Sequence, residues 1–512
     1  MKKLICGLLL VLAGSWCTLA QSAALGVFSE KSYATDKLEV KFIDVQGGHI
    51  FPQAWLKKVV SQYTGRKLTA KDIAELQSRL TRYYVEQGYA TSGVIVPEQE
   101  VTDGVLVLQV VHGRITQVAQ NRTEQLSSSY VQEYFRPAMT VPVNVQALNE
   151  SLALLQEHEL VEQASAKLKP GSRLGESTLL VDVIERDGDF YGVNLDNYQS
   201  PSIGAAHLAL TAGHRNLLGA RDRLQASVGA TQGLKDFSLS YRLPVSLSDV
   251  SLQGSAQGSE YSLVEEPFDV VDLQSRSARA QFGLYWPLKR ELAQRGETFL
   301  NLEYTRTQQR WFDVYTENTN SKSAQWGVNW QWRSSADRAA LQLKLEGGVA
   351  AGDAGGVATE TQNFRLAQVQ GVYWHSLTAA QALQWRVNTQ LADEFVPSIK
   401  RFSLGGATSV RGYRQNRFVR DSGVTTNLEW HWYPGAGWTL YPFFDYALGM
   451  ESDNGQMSLP NQQLYSAGVG VRWQKAGFDA NLMWGQALQD VESVGSDPQD
   501  KGIYLSLGYR TP

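Results

Sequence analysis

The side chains of this 512-residue sequence that could do chemistry do not assemble into a catalytic set. Its seven histidines, His49, His112, His158, His207, His214, His375 and His431, lack the spacing of metal ligands, and no glycine-rich phosphate loop is present. Ser409 stands two residues from Arg411 with no base nearby to activate it as a nucleophile. Glu429 and His431 have the spacing that puts both on one face of a strand, where a solvated wall is a commoner outcome than an acid–base pair. Arg411 is a planar guanidinium of the kind that forks onto a carboxylate, and Asp445 is a carboxylate further on. On residue type alone, these two are ordinary charges in separate solvated clusters. No enzymatic activity, cofactor or metal is expected.

The composition is 43% hydrophobic, 10% aromatic and 19% charged, which excludes both a disordered chain and a membrane-helix bundle. With 47 basic and 51 acidic side chains, a net charge of -4 and a pI near 6.1, nothing in the overall charge calls for a nucleic-acid partner. One apolar run, Leu4 to Ala13, follows Lys2 and Lys3 and precedes small residues, the pattern of a secretory signal peptide over residues 1–24. Cleavage fits after Ala20 or after Ala24. Cys6 and Cys17 precede both sites, so the mature chain is expected to hold no thiol or disulfide. Bulky Trp16 disfavours a lipid anchor on Cys17. A short linker, 25–37, follows.

Two compositionally different parts come next. From Leu38 to Asp187 helical and strand periodicities mix. Leu38–Val45 alternates as a strand, Phe51-Pro52 opens a short helix to about Gln62, and Thr69 with Asp72 caps a longer one that Gly88 stops. Strands at Ala90–Val96 and Val105–Val111 flank a turn at Asp103-Gly104. The β-α-α-β-β order then recurs: a strand at Arg114–Ala119, helices at Ser128–Phe135 and Asn144–Glu157, and strands at Val161–Leu168 and Thr178–Ile184. A period of roughly 75 residues exceeds that of solenoid repeats and describes two tandem domains.

Lys67-Leu-Thr, Tyr89-Ala-Thr-Ser, Pro97-Glu-Gln and the run from Asp103 to Arg114 resemble the first of two POTRA domains of the two-partner secretion transporters. The resemblance implies POTRA domains at 38–113 and 114–187. An exposed strand edge accepts an unfolded chain of any sequence as an added strand, because its N–H and C=O groups are unpaired. The candidate edges are Ala90, Val94 and Val96 in the first domain, and Val161, Ala164 and Leu168 in the second. The plainer alternative is that the domains only space the rest of the protein from the cell wall.

From Phe190 onward no amphipathic helix appears, and segments alternate with period two. Phe237, Leu239, Tyr241 and Leu243 oppose Ser238, Ser240 and Arg242, and the strands around Phe282, Trp330 and Trp385 repeat the pattern. About sixteen such strands, each near the ten residues that cross hydrocarbon when tilted, fit a transmembrane barrel at 188–512. Short links, such as Ser334–Arg338, Tyr433–Trp438 and Gln474–Gly477, alternate with long ones near Gly258–Ser277, Thr307–Lys322, Glu394–Val424 and Gly449–Leu464. The fold class is therefore α+β domains followed by an all-β barrel of sixteen antiparallel strands.

Phe402-Ser-Leu-Gly-Gly406, Ser409-Val-Arg-Gly-Tyr413 and Asp421-Ser-Gly423 resemble the sixth-loop signature of the Omp85 superfamily, to which those transporters belong, and fall between the eleventh and twelfth strands. The inward-folded loop spans about 393–423. Pro442-Phe-Phe-Asp-Tyr-Ala-Leu-Gly449 is a second match. The resemblance implies that Val410, Arg411, Gly412 and Tyr413 form the loop tip, and that Arg411 pairs with Asp445 on a strand that also carries Phe443, Phe444 and Gly449. The C-terminal strand, Ile503 to Tyr509, resembles an assembly signal but departs from it, because Arg510-Thr-Pro512 follows the last aromatic. Relatives often carry a plug helix ahead of the first POTRA domain. The short linker leaves no room for one, so closure of the resting pore is expected to fall to the sixth loop.

The expectation is an outer-membrane translocator of a Gram-negative bacterium, with its POTRA domains in the periplasm. It would export an unfolded partner exoprotein of haemolysin, adhesin or contact-dependent toxin type. Its other partners would be outer-membrane lipid, lipopolysaccharide and the barrel-assembly machinery. The rivals are an assembly insertase of the same superfamily, which usually carries more POTRA units, and a passive porin, which leaves the repeat and Val410–Tyr413 unexplained.

Overall fold

The computed structural model describes residues 37–511 except 102, 122, 313, 355–356, 359, 394–395, 452–459 and 490–494. The expected signal peptide, 1–24, lies outside the described residues. The chain divides into an N-terminal unit ending at Glu185 and a C-terminal unit from Arg186.

The single strand expected at the start of the N-terminal unit is two, β1 (Leu38–Val40) and β2 (Phe42–Gln46). The break falls at Lys41, where the Lys41 and Phe42 N–H groups both donate to the Gly104 carbonyl. Helix α1 (Gln53–Val60) follows Pro52, β3 (Arg66–Leu68) pairs with β1, and α2 (Ala70–Glu86) begins at Thr69. The Asp72 N–H donates to Thr69 Oγ1, and the Thr69 N–H donates to Asp72 Oδ2 at 2.8 Å, so two otherwise unpaired donors are satisfied reciprocally. Those bonds from Thr69 hold the Asp72 carboxyl below its ordinary pKa.

The buried stripe of α2 is Ile73, Leu76, Leu80 and Tyr84. It shares a core with Val94, Leu106 and Leu108 of the sheet β2-β5-β4, where β4 is Gly93–Ile95 and β5 is Val105–Val111. The strand expected over Ala90–Val96 is thus only its middle, and Ala90 and Val96 lie outside it. Thr91 and Ser92 turn inward and are buried, with Ser92 Oγ accepting from the Gly113 N–H at 2.9 Å, so the chain there is held by a turn and not by a ladder.

The order repeats with β6 (Arg114–Gln120), α3 (Ser128–Phe135), α4 (Val145–Gln156), β7 (Val161–Pro170) and β8 (Glu176–Glu185). Side chains of Ser127 and Asn144 accept from backbone N–H groups in the first turns of α3 and α4. Strand β6 runs parallel to β8 and β7 antiparallel to it, as β2 and β4 do to β5. In both domains the last-but-one strand, β4 or β7, therefore lies at a sheet edge.

The C-terminal unit is a closed antiparallel barrel of sixteen strands among the described residues. Its first strand, Asp189–Asp196, pairs with its last, Ile503–Arg510, from Gly192↔Arg510 to Asp196↔Ser506. Side chains lengthen this seam. Asn197 Nδ2 donates to the Ile503 carbonyl at 3.0 Å, while its Oδ1 accepts from the Leu505 N–H at 2.7 Å. At the other end the Tyr191 N–H donates to Thr511 Oγ1, and the Thr511 N–H donates to the Tyr191 carbonyl at 2.9 Å. Arg510 and Thr511, past the last aromatic, are thus part of the barrel closure.

Phe237, Leu239, Phe282, Trp286, Trp326 and Trp385 are exposed on the outer wall, an apolar surface that only a membrane covers at this extent. Several expected long links are shorter. Gln294–Trp311 and Val314–Arg333, the seventh and eighth strands, stay paired through Thr307↔Thr319 and on to Trp311↔Val314, so the loop expected at Thr307–Lys322 is a paired ribbon. The segment is polar because it stands beyond hydrocarbon, and an antiparallel pair needs no apolar face there.

Candidate functional site

The longest connection joins the eleventh strand (Gln381–Ala392) to the twelfth (Ser422–Gly435), and its described residues 396–421 fold into the lumen. Its two limbs pair as a short ribbon, Phe402↔Arg420, Ser403↔Val419 and Leu404↔Phe418. Phe402, Leu404, Val410 and Tyr413 form an apolar cluster with Ala447 of the thirteenth strand (Trp438–Met450) and Leu464 of the fourteenth (Gln462–Lys475). Loop residues thus bury a small core against the wall, which fixes the loop more firmly than isolated polar contacts would.

The tip is held by charge. Arg411 Nε donates to Asp445 Oδ2 at 2.8 Å and Nη2 to Asp445 Oδ1 at 2.6 Å, a forked pair, and the Arg411 backbone N–H adds a third bond at 3.0 Å. Nη1 donates to Glu429 Oε1 at 2.7 Å, and the guanidinium lies 3.5 Å from the centre of the Phe443 ring. Arg411 is 3% exposed and Asp445 0%, so this is a desolvated pair and not a solvated lumen charge. Asn427 Nδ2 bridges the Ser409 carbonyl and Asp445 Oδ1. Glu429 in turn bonds His431 Nε2 at 2.8 Å, and His431 stacks on Tyr441.

Gly412 has φ near +98°, a region costly for other residues, and an added Cβ would lie 2.9 Å from the Ala487 nitrogen and 3.0 Å from the Gly485 carbonyl oxygen. The tip therefore lies flat on the fifteenth strand (Phe478–Ala487). Tyr504 of the last strand accepts from the Gly412 N–H at 3.1 Å and donates to the Tyr413 carbonyl. Tyr413 Oη lies 3.0 Å from the Tyr465 carbonyl and 3.1 Å from that of Gln489. Arg414 forks onto Asp500 and reaches Glu265 at 2.7 Å.

Val410, Arg411, Gly412, Tyr413, Asp445 and Phe443 are therefore brought together. Gly449 lies beside them, because a Cβ there would strike Leu404 at 2.4 Å. Phe444 does not join them. It is exposed on the outer wall, since alternate residues of a strand face opposite ways. In the N-terminal unit Val161 and Ala164 lie on edge strand β7 with buried side chains, and Leu168 packs against the same core. Val94 on β4 is buried as well. Part of the backbone at these edges is already engaged by the neighbouring helices: the Val94 N–H donates to Thr81 Oγ1 of α2 at 3.0 Å, and the Ala164 carbonyl accepts from Gln156 Nε2 of α4 at 2.6 Å.

Glu429 is the residue that spacing picked out and then left on a solvated wall. The signal for its role was its place one strand from Asp445, the register Glu429↔Phe443 setting it beside the ring that Arg411 covers.

A sixteen-strand barrel with an inward loop clasped through Val-Arg-Gly-Tyr, preceded by β-α-α-β-β domains, defines an outer-membrane transporter of the Omp85 superfamily. The chain matches the model of the haemolysin secretion/activation protein ShlB/FhaC/HecB family over residues 175–473, and belongs to that family. Residues 38–113 match the POTRA domain of ShlB type.

Among relatives, it is 23% identical to the heme/hemopexin transporter protein HuxB of Haemophilus influenzae over 446 residues, 82% of this chain and 78% of that one. It is 21% identical to the outer membrane transporter CdiB of Dickeya dadantii over 72% of this chain and 68% of that one. Among solved structures, CdiB from Escherichia coli superposes with a TM-score of 0.65 at 18% identity, covering 98% of each chain. BamA from Haemophilus ducreyi lacking POTRA domains 1–3 superposes at 0.57 and 13% identity, over 93% of this chain and all of that one. The chain is an outer-membrane translocator of two-partner secretion, with its N-terminal POTRA domain in the periplasm and an exoprotein of the TpsA type as substrate.

Proposed function

We propose that the unfolded exoprotein docks first as an added strand on the periplasmic edges β4 and β7, then passes through the barrel as the sixth loop leaves its clasp. Residues 114–187 act as a second POTRA domain, with the topology of the first. The step requires no catalysis by this chain, cofactor or metal: export is movement, biased outward as the exported chain folds outside. The outer wall sits in outer-membrane lipid and lipopolysaccharide, and the seam through Thr511 is the end that the barrel-assembly machinery handles during insertion. The observation that carries the reading is the desolvated Arg411–Asp445 pair, a contact strong enough to hold the lumen filled at rest and local enough to be exchanged.

The substrate is of haemolysin, adhesin or contact-dependent toxin type. Deleting the gene is expected to remove one large protein from the culture medium while its precursor collects in the periplasm, as read by mass spectrometry of both fractions. An unchanged set of secreted proteins would contradict the reading.

A further inference from the structure

We propose that Lys400 is a second clasp of the sixth loop and the one that lets go first, so that the loop leaves the lumen in two stages. The proposal rests on the reading that the loop must move for export. The limb that enters the loop reaches a different part of the wall from the tip. Val396 is buried against Phe364 and Leu366 of the tenth strand (Gln362–Thr378). A single turn, Ser398–Lys400, then carries the Lys400 ammonium between two carboxylates. Its Nζ bonds Glu346 Oε1 at 2.7 Å and also Glu303 Oε1, with the three side chains 8%, 1% and 4% exposed. Those acids stand on the ninth (Asp337–Ala354) and seventh strands, whereas the acids holding Arg411 stand on the thirteenth and twelfth. The two clasps thus pin one loop to separate arcs of the wall.

They differ in what release leaves behind. Around Lys400, Ser323 donates to Glu346 at 2.8 Å and Gln325 donates to Glu303 at 3.0 Å. Two further cations wait at longer range, Lys344 Nζ at 3.6 Å from Glu346 Oε2 and Arg279 Nε at 3.7 Å from Glu303 Oε1. Arg279 Nε and Glu346 Oε2 are buried and make no hydrogen bond in the docked state. Withdrawing Lys400 leaves two carboxylates facing two cations that can close onto them.

Among the described residues Asp445 has no such reserve. Three of its four hydrogen bonds come from Arg411, and the fourth comes from Asn427. Leaving one buried charge unpaired is costly, so the tip holds while the limb yields. A cavity of about 440 Å³, lined by Ser398, Ile399, Arg279 and residues of the fourth to seventh strands, adjoins the limb and is the space that its departure enlarges.

The test reads loop position and not secretion, so its failure would leave the export reading standing. In full-length protein in outer-membrane vesicles, Val396→Cys reports the limb and Val410→Cys the tip, both buried at rest. A small polar maleimide is the probe. Lys400→Met is expected to speed labelling of the limb reporter roughly tenfold or more, while the tip reporter keeps its wild-type rate. Glu346→Gln should move the limb in the same direction, and it carries the test if Lys400→Met fails to insert. Lys400→Arg should keep the slow rate. Arg411→Ala should expose the tip. A limb reporter unmoved by both Lys400→Met and Glu346→Gln would overturn the second clasp, and two reporters released together would overturn the staging.

Discussion

Arg411→Ala is expected to cut export severely while the barrel still assembles, with Asp445→Ala milder. Removing the guanidinium leaves both Asp445 and Glu429 without their cation in a site that excludes water, a loss on the order of 3–5 kcal/mol for a buried pair. At about 1.4 kcal/mol per decade, that lowers occupancy of the docked loop roughly a hundredfold or more, so the barrel loses the resting arrangement from which the exchange with the exoprotein starts. Asp445→Ala leaves Arg411 its bond to Glu429 at 2.7 Å, so part of the clasp survives. The double variant should be no worse than Arg411→Ala alone, because residues acting through one contact do not add. A charge swap, Arg411→Asp with Asp445→Arg, recovers little, since the fork, the backbone bond and the seat on Phe443 are lost together. Secretion assays beside heat-modifiability gels, which report barrel folding, check the series. Single defects that add in the double variant would show that the two residues act separately.

Deleting residues 38–187 should abolish export altogether and still leave an inserted barrel. The barrel closes on its own strands, and each N-terminal domain keeps its own buried core, so the loss is of the edges proposed to dock the exoprotein. Secretion that persisted would reduce the domains to spacers. A finer version places proline at Ala164 on β7. It removes one backbone donor from the strand without removing the domain, and should weaken capture of the exoprotein more than it weakens folding.

Much of this architecture is written in local pattern. Period-two alternation marks the barrel strands because lipid and lumen impose opposite chemistry on adjacent residues, as at Phe444 and Asp445. The Thr69–Asp72 cap is legible because its partners are three residues apart. What escaped depends on three-dimensional neighbours. Thr307–Lys322 reads as a loop by polarity, yet Thr307 pairs with Thr319 across a tight ribbon, and no apolar face is needed outside the membrane. Ala90–Val96 alternates well enough for a strand, but the turn at Thr91-Ser92 is set by the Gly113 N–H 21 residues away. The tip pairing with Asp445 was available only through resemblance, since 34 residues separate the partners. Lys400 and Glu303 lie 97 apart and offered no motif at all.

The central claim is that the sixth loop must leave its docked place for the exoprotein to pass, and a reversible tether tests it most directly. The Gln415 N–H donates to Gln499 Oε1 at 2.9 Å, so a short bifunctional disulfide-forming reagent can join Gln415→Cys to Gln499→Cys. The only native cysteines, Cys6 and Cys17, lie far from both positions in sequence. Secretion should stop when the pair is cross-linked and return on reduction, while each single cysteine variant secretes equally with and without the reagent. Undiminished secretion through fully cross-linked barrels would contradict the account.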